Sequence, residues 1–297
     1  MPETRPESAD DGSPRPVMPA VRIHSPANET VREIVRLRDH RRRRRARRVL
    51  VDGWREVLLA WGSGLRPCGL FLPDGDDADV PDTAEGLIAE AGRLGRLYRL
   101  SDPLFRKISY GQTPRDVVAE FDQPDRTLAQ LALPADPLLL ILDQIEKPGN
   151  LGAVFRSADA AGVDAILISD GTGDLFNPNA IRNSLGTVFC VPAATGRYEQ
   201  VREFLERRSI RVVAARVESS SPLWSTDLRG PLAIVLGSES DGLRRRWRTA
   251  GGRPVAGVQI PMRGRADSLN LAVSATILAY EAIRQRDGMN GPDREDP

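Results

Sequence analysis

The apolar positions of this 297-residue chain switch repeatedly between two spacings. Unbroken runs such as LLLIL (138–142), AILIS (165–169) and LAIVLG (232–237) have the length of strands covered on both faces. Helical spacing marks 150–161, a segment from about 178, 198–208, a segment from about 240, and 268–286. TVFCVPA, RVVAARV and VQIPM supply the remaining strands of this half. Strands and helices in alternation predict a doubly wound parallel α/β sheet over 138–288. The first half is smaller. Asn28 or Thr30 caps a helix carrying Val31, Ile34, Val35 and Leu37. A strand then ends at an Asp52-Gly53 turn, and the next helix closes at Gly62 and Gly64. CGLFLP, RLYRL and DVVAEFD read as strands, TAEGLIAEAGRLG and DPLFRKIS as helices. They predict a compact α/β unit over 21–123. PDRTLAQLALPADP, with proline at three places, is the expected linker, 124–137. The Pro-rich stretch 1–20 and the polar end 289–297 are expected to be disordered tails.

Composition narrows the chemistry. Cys68 and Cys190 are the two cysteines, and His24 and His40 the two histidines. A disulfide framework, a Cys/His metal cluster and a histidine-based triad are therefore not expected. No apolar run approaches the roughly 20 residues of a membrane helix, and the opening stretch lacks the layout of a secretory leader. A cytoplasmic, metal-free protein is the expectation. The net charge of +1 hides a strong pattern: residues 21–60 hold twelve Arg against five Asp or Glu. RRRRRARR at 41–48 needs a partner, because like charges repel. Arg41, Arg42, Arg43, Arg44 and Arg45 are candidate phosphate contacts, against the plainer reading of a solvated helix end.

Three spots in the second half stand out. The turn after LLLILD carries Asn150 and Arg156, and it is neither a G-x-G-x-x-G fingerprint nor a P-loop. Asn150 reads as a helix cap as readily as a functional residue. Arg156 sits among Ala, Val and Phe. The second spot, IVLGSESDGL (234–243), runs a buried strand into Gly237 and Glu239, at the strand end where open α/β sheets place ligands. The third, IPMRGRADSLNLAVSATILAYE (260–281), opens a helix at Ser268-Leu269-Asn270. There Ser268 reads as the N-cap, and Asn270 has no structural need. The helix is apolar almost all round, so it should be buried against its own sheet or a second subunit.

Together, N150-LGAVF-R156, L236-GSE239-SDGL and I260-PM…S268-LN270 resemble, in order and spacing, the SPOUT-class RNA methyltransferases of the SpoU or TrmH family. The resemblance covers about 138–286. RNSLGTVF (182–189), with Arg182, Ser184 and Gly186, is similar to a further family stretch and adds Arg182 to the candidate RNA contacts. The first half resembles the family's L30e-like substrate-binding domain, with Asp52-Gly53 where relatives more often have Glu-Gly. The overall plan is similar to ribosomal RNA methyltransferases that give antibiotic producers self-resistance. The resemblance implies a deep trefoil knot in the parallel sheet and S-adenosylmethionine as cofactor, held by Leu236, Gly237, Ile260, Met262, Ser268 and Leu269. It implies methylation of a ribose 2′-hydroxyl in structured RNA, ribosomal RNA first and transfer RNA second, by a homodimer. Arg156 matches the catalytic arginine. A guanidinium stays protonated near neutrality, so a charge-stabilising role suits it better than that of a base. Asn150 would orient Arg156 or the ribose, Glu239 would anchor that pair, and Ser268 and Asn270 would fix the RNA site. The rivals are a Rossmann dehydrogenase, which lacks its glycine fingerprint here, a non-catalytic RNA-binding protein, and a knotted enzyme that methylates a base atom.

Overall fold

A computed structural model describes residues 20–75, 80–111, 116–171, 173–238, 242–243 and 246–288. The expected tails, apart from residue 20, lie outside these residues.

The first unit runs β1 (Val21–Ile23), α1 (Glu29–Arg36), α2 (His40–Ala46), β2 (Arg48–Asp52), α3 (Trp54–Gly62), β3 (Pro67–Pro73), α4 (Glu85–Arg93), β4 (Leu97–Leu100), α5 (Asp102–Ile108) and β5 (Val118–Asp122). Its strands form one sheet in the order β1-β4-β3-β5-β2, with β5 antiparallel to both neighbours. Strand β1 is too short to show a period, and the sequence reading passed over it. Asn28 caps α1 by accepting from the Val31 amide, and Asp39 caps α2 by accepting from the Arg42 amide at 3.0 Å. The arginine run is thus a capped helix, closed by Arg47 in the left-handed region. Gly53, at φ 96, turns β2 into α3.

The second unit runs β6 (Leu138–Asp143), α6 (Pro148–Ala161), β7 (Ala165–Ser169), α7 (Pro178–Asn183), α8 (Thr187–Cys190), β8 (Ala193–Gly196), α9 (Tyr198–Arg207), β9 (Arg211–Ala215), β10 (Ser220–Pro222), β11 (Leu232–Leu236), β12 (Thr249–Ala250), β13 (Arg253–Pro254), β14 (Ala256–Gln259) and α10 (Leu271–Asp287). Seven of its strands make a sheet in the order β10-β14-β9-β11-β6-β7-β8, parallel at every pairing. Every residue of β6, β7 and β11 is buried, which explains their unbroken apolar runs. Alternate residues of β6 serve different cores. Leu138, Leu140 and Leu142 pack with α6 and α10, and Leu139 and Ile141 with Val201 and Leu205 of α9.

Three expectations need correction. TVFC (187–190) is helical, and the strand begins only at Ala193. Gly186, at φ 88, redirects the chain, and the Thr187 hydroxyl donates to the Ser184 carbonyl, so a β-branched run closes a helical turn. The helix expected from about 240 falls partly outside the described residues. Those described beyond it form a turn at 246–247 and the β12–β13 hairpin. The last helix starts at Leu271, later than Ser268.

The two units share one apolar core, in which Val49, Trp54 and Leu70 join the same cluster as Leu140 and Phe155. Within 124–137, Thr127 makes a parallel bridge to Thr195 of β8. Where α3 meets α8, the backbone leaves no room for a side chain. A Cβ on Gly186 would stand 2.8 Å from Leu59 Cδ1 and 3.1 Å from Glu56 Cα. Gly186→Ala is therefore expected to lower unfolding free energy by about 1–3 kcal/mol, through strain at positive φ and the clash. Urea denaturation monitored at the tryptophans measures this.

Candidate active site

All strand-end loops of a parallel sheet emerge on one side, and the candidate residues gather there. Strand β11 delivers Leu236, 3% exposed, into Gly237. A Cβ on Gly237 would lie 2.1 Å from the Gly242 carbonyl carbon, so only glycine fits. The Gly242 amide donates to the Ser238 carbonyl at 2.9 Å and folds this loop back on itself. Glu239 lies outside the described residues.

The loop's far end is pinned by charge. Arg246 reaches Asp143 at 3.2 Å and Asp170 at 2.7 Å, with its guanidinium 4.2 Å from the centre of the Tyr198 ring. Asp143 ends β6 and is buried. Burial pushes its carboxyl above the usual carboxylate range, against the pull of the Ser169 hydroxyl, 2.7 Å away, and of Arg246. The strand feeding Asn150 and the loop following Gly237 are thus held to the same arginine.

A cleft opens between these loops. One lobe of about 500 Å³ is lined by Leu236, Gly237, Ser268, Leu269 and Asn270, among others. The other, about 620 Å³, is lined by Ile260, Met262, Ser268 and Leu269, among others. Each lobe lies within the size range of small-molecule sites. The six expected cofactor residues all line it. The cleft also takes in Ala215, Arg216, Val217 and Glu218, which the sequence reading missed. Their signal is place rather than residue type: they lie at and just beyond the end of β9, which lies beside β11 and ends at the same edge. Arg216 donates to the carbonyls of Val255, at 2.7 Å, and Trp247, at 3.3 Å, and so braces the wall.

The third motif meets the first at one hydrogen bond. Asn270 Nδ2 donates to Asn150 Oδ1 at 3.1 Å. Asn270, not Ser268, is the N-cap of α10, its Oδ1 accepting from the amides of Ala272 (2.9 Å) and Val273 (3.4 Å). Asn270 therefore has the structural need that the sequence reading denied it. Asn150 is not a cap either. Helix α6 begins at Pro148, which needs no N–H partner, and Asn150 lies in its first turn. Ser268 is exposed and faces both lobes. Arg156 is exposed on α6. Six residues separate it from Asn150, about 9 Å along the axis and about 120° around it. Asn150 faces α10, as does Ser157, whose hydroxyl meets that of Thr276 at 2.7 Å, whereas Arg156 points away from this seam.

The expected RNA contacts divide. Arg41, Arg42, Arg44 and Arg45 are exposed on α2. Arg43 is 3% exposed and bound to Asp174, so it is no phosphate contact. Arg182 is half-buried between the units. It donates to the Tyr110 carbonyl at 2.9 Å and packs on that ring. Among the described residues no group of three or more His, Cys, Asp or Glu side chains is placed to hold a metal ion, and no helix is long and apolar enough to cross a membrane.

A parallel sheet whose strand ends enclose a small-molecule cleft, with an exposed arginine on α6 and a separate basic helix, has the build of an α/β ligand-binding protein. Comparison with known proteins sharpens this. Residues 137–280 match the SpoU rRNA methylase family, and residues 28–119 match the MRM3-like substrate binding domain. A 23S rRNA (uridine(2479)-2′-O)-methyltransferase of Streptomyces viridochromogenes is 31% identical over 256 residues, covering 84% of this chain and 87% of that protein. The 23S rRNA (guanosine(2553)-2′-O)-methyltransferase RlmP of Bacillus subtilis is 27% identical over 260 residues, 87% of this chain and 97% of that protein. Among solved structures, the AdoMet-bound rRNA methyltransferase from Sinorhizobium meliloti superposes with a TM-score of 0.79 at 28% identity, over 89% of this chain and 98% of that one. The chain belongs to the SpoU rRNA methylase family, and the resemblance drawn from its three motifs is borne out.

Replacing Asn270 separates its two jobs. Asn270→Ala is expected to lower stability by about 1 kcal/mol through the lost cap. Asn270→Asp keeps the cap and the stability but cannot donate to Asn150. Urea unfolding of both variants tests the first job, and methyl transfer the second.

Proposed function

We propose that this protein methylates a ribose 2′-hydroxyl of 23S ribosomal RNA, using S-adenosylmethionine. The observation that carries this reading is the coincidence of all six motif-matched cofactor positions in one strand-end cleft, joined through Asn270 to Asn150. The donor set fits the cofactor. The Gly237 cradle brings bare backbone to the cleft wall, Leu236, Ile260, Met262 and Leu269 give apolar surface, and Ser268 gives a polar group. When bound, S-adenosylmethionine supplies an electrophilic methyl group on sulfur. The chain's own part is to place the sugar and manage charge. Asn150, oriented by Asn270, positions the ribose. Arg156, charged and exposed, holds a neighbouring phosphate and stabilises negative charge growing on the 2′-oxygen as its proton passes to solvent water.

In this reading, 21–123 is the RNA-binding domain, 124–137 the linker and 138–288 the catalytic domain. The exposed face of α2 grips phosphates through Arg41, Arg42, Arg44 and Arg45. The knot implied by the resemblance belongs to the same proposal, its support being that 260–270 return to the cleft beside 215–218 and 236–238. So does a homodimer. Met262, Val273 and Tyr280 are 40%, 46% and 48% exposed, on the loop before α10 and on α10 itself. Covering them with a second copy would bury apolar surface. The place of action is the cytoplasm, where its rRNA substrate is found.

Mapping 2′-O-methyl groups in total RNA from cells with and without the protein tests the reaction and locates the nucleotide. A protein-dependent site in 23S rRNA is expected. A site confined to transfer RNA, or none, would overturn the reading. Arg156→Ala is expected to lower turnover about 10²–10³-fold with cofactor affinity intact, and Arg156→Lys to fall between, keeping charge but losing the planar fork. In sedimentation at micromolar concentration the protein should run as two chains.

A further inference from the structure

Helix α2 has two faces with different work. Its exposed arginines point outward, while Arg43 is driven in against the rest of the molecule. Burying a guanidinium is costly unless its charge is paired and most of its donors are met; here Nη1 and Nη2 are met, and the buried Nε has no hydrogen-bond partner. Arg43 Nη1 donates to the carbonyls of Leu37 and Arg38, 2.9 Å each, at the C-terminal end of α1. Arg43 Nη2 donates to Asp174 Oδ2 at 2.8 Å, across the boundary between the two sheets. Asp174 lies in the connection from β7 to α7. Its Oδ1 already accepts the Phe176 amide at 3.1 Å, so the carboxylate is oriented independently of Arg43.

Helix α7 is itself pressed onto α6. A Cβ on Gly152 would lie 2.4 Å from the Ala180 carbonyl oxygen and 2.8 Å from Asn183 Cβ. Direct contacts therefore run from the basic helix through Arg43 and Asp174 to α7, and from α7 to the first turns of α6, where Asn150 sits. A second bridge keeps the first from acting as a swivel. Arg182 of α7 donates to the Tyr110 carbonyl, and the Tyr110 amide donates to Asp52 at 2.8 Å. Asp52, in turn, is held by both Nη atoms of Arg38, at 2.9 and 3.0 Å.

We propose that Arg43 and Asp174 are positioning residues that set the angle between the RNA-gripping face of α2 and the reactive end of α6. The proposal rests on the RNA methyltransferase reading above. Neither residue touches RNA or cofactor in this role. With the pair broken, the exposed arginines still attract phosphate, and the cleft still holds its ligand. The 2′-hydroxyl is then delivered off target, and a misplacement of about 1 Å can cost about 10²-fold in rate.

The experiment uses the full chain, unmodified 23S rRNA transcribed in vitro and radiolabelled S-adenosylmethionine. Asp174→Ala removes the pair without disturbing the cap that Arg43 gives α1, and Asp174→Asn keeps an oxygen acceptor while removing the charge. The expected result for Asp174→Ala is a fall of about 10²-fold in the single-turnover rate. Affinities for the transcript and for S-adenosylmethionine stay at wild-type values, and Asp174→Asn falls between. Hydrogen exchange should rise in α2 and α7 and stay unchanged in β6 and β11. An Asp174→Ala protein with the wild-type single-turnover rate overturns the proposal. So does one that loses transcript affinity together with rate, since the pair would then only hold α2 folded. A wild-type protein that leaves the transcript unlabelled overturns the methyltransferase reading instead, and this proposal falls with it.

Discussion

Everything at the site follows from seven strands running the same way. A parallel strand must be followed by a crossover back to the starting edge, so every strand ends on one side and every following loop begins there. That constraint brings Gly237 after β11, Arg216 after β9, Ile260 after β14 and the Asn150 turn after β6 to a single edge, although up to 110 positions separate them in the chain. It also fixes composition. A strand covered on both faces has no polar side, and LLLIL and LAIVL are apolar for that reason. The contact between Gly237 and Gly242 belongs to the same logic. Two backbone segments at the crowded edge can touch only where no Cβ intervenes.

Elements whose fate is decided by burial on both faces were legible. AILIS is β7 residue for residue, and Asn28 caps α1 as its position suggests. Elements decided by a neighbour far away in the chain were not. TVFC looks like a strand because Val and Phe favour one, yet it lies where α3 packs, after a glycine that has already turned the chain. Ser268 and Asn270 are equally good caps on paper. The helix begins where the loop leaving the cleft lets it, and Asn270 is the residue at that point. Within RRRRRARR, nothing in the letters distinguishes the third arginine from the rest. The helix turns one face inward, and Arg43 is the arginine on it, held there by the Leu37 and Arg38 carbonyls and by Asp174. At the cleft, residues that match the family's motifs were found, and Ala215, Arg216, Val217 and Glu218, which lie outside those motifs, were passed over.

Asn150 and Arg156 illustrate how a sequence motif can join residues that face different ways. Both lie on α6, but the helix turns them about 120° apart. The asparagine is drawn into the seam with α10, where Asn270 holds it. The arginine is left facing outward. An asparagine held at a fixed angle suits a neutral sugar, which must be aligned by directional hydrogen bonds. An exposed guanidinium suits a phosphate, which can be met from many angles.

The Arg43–Asp174 pair has to be judged by the same distinction between alignment and attraction. Buried ion pairs are poor evidence of stability, because desolvation consumes much of the Coulomb energy and apolar replacements are often as stable. What such a pair has over apolar packing is direction. Leucine against leucine tolerates sliding, whereas Arg43 must satisfy two carbonyls of α1 and one carboxylate of the other unit together. The two carbonyls fix Arg43 within its own unit, so its bond to Asp174 ties the units at one set point, and the Arg182–Tyr110–Asp52 bridge ties them at a second. The shared apolar core makes the two units adhere. The buried charge decides at which angle they do so, and it can do this even if its net contribution to stability is nil.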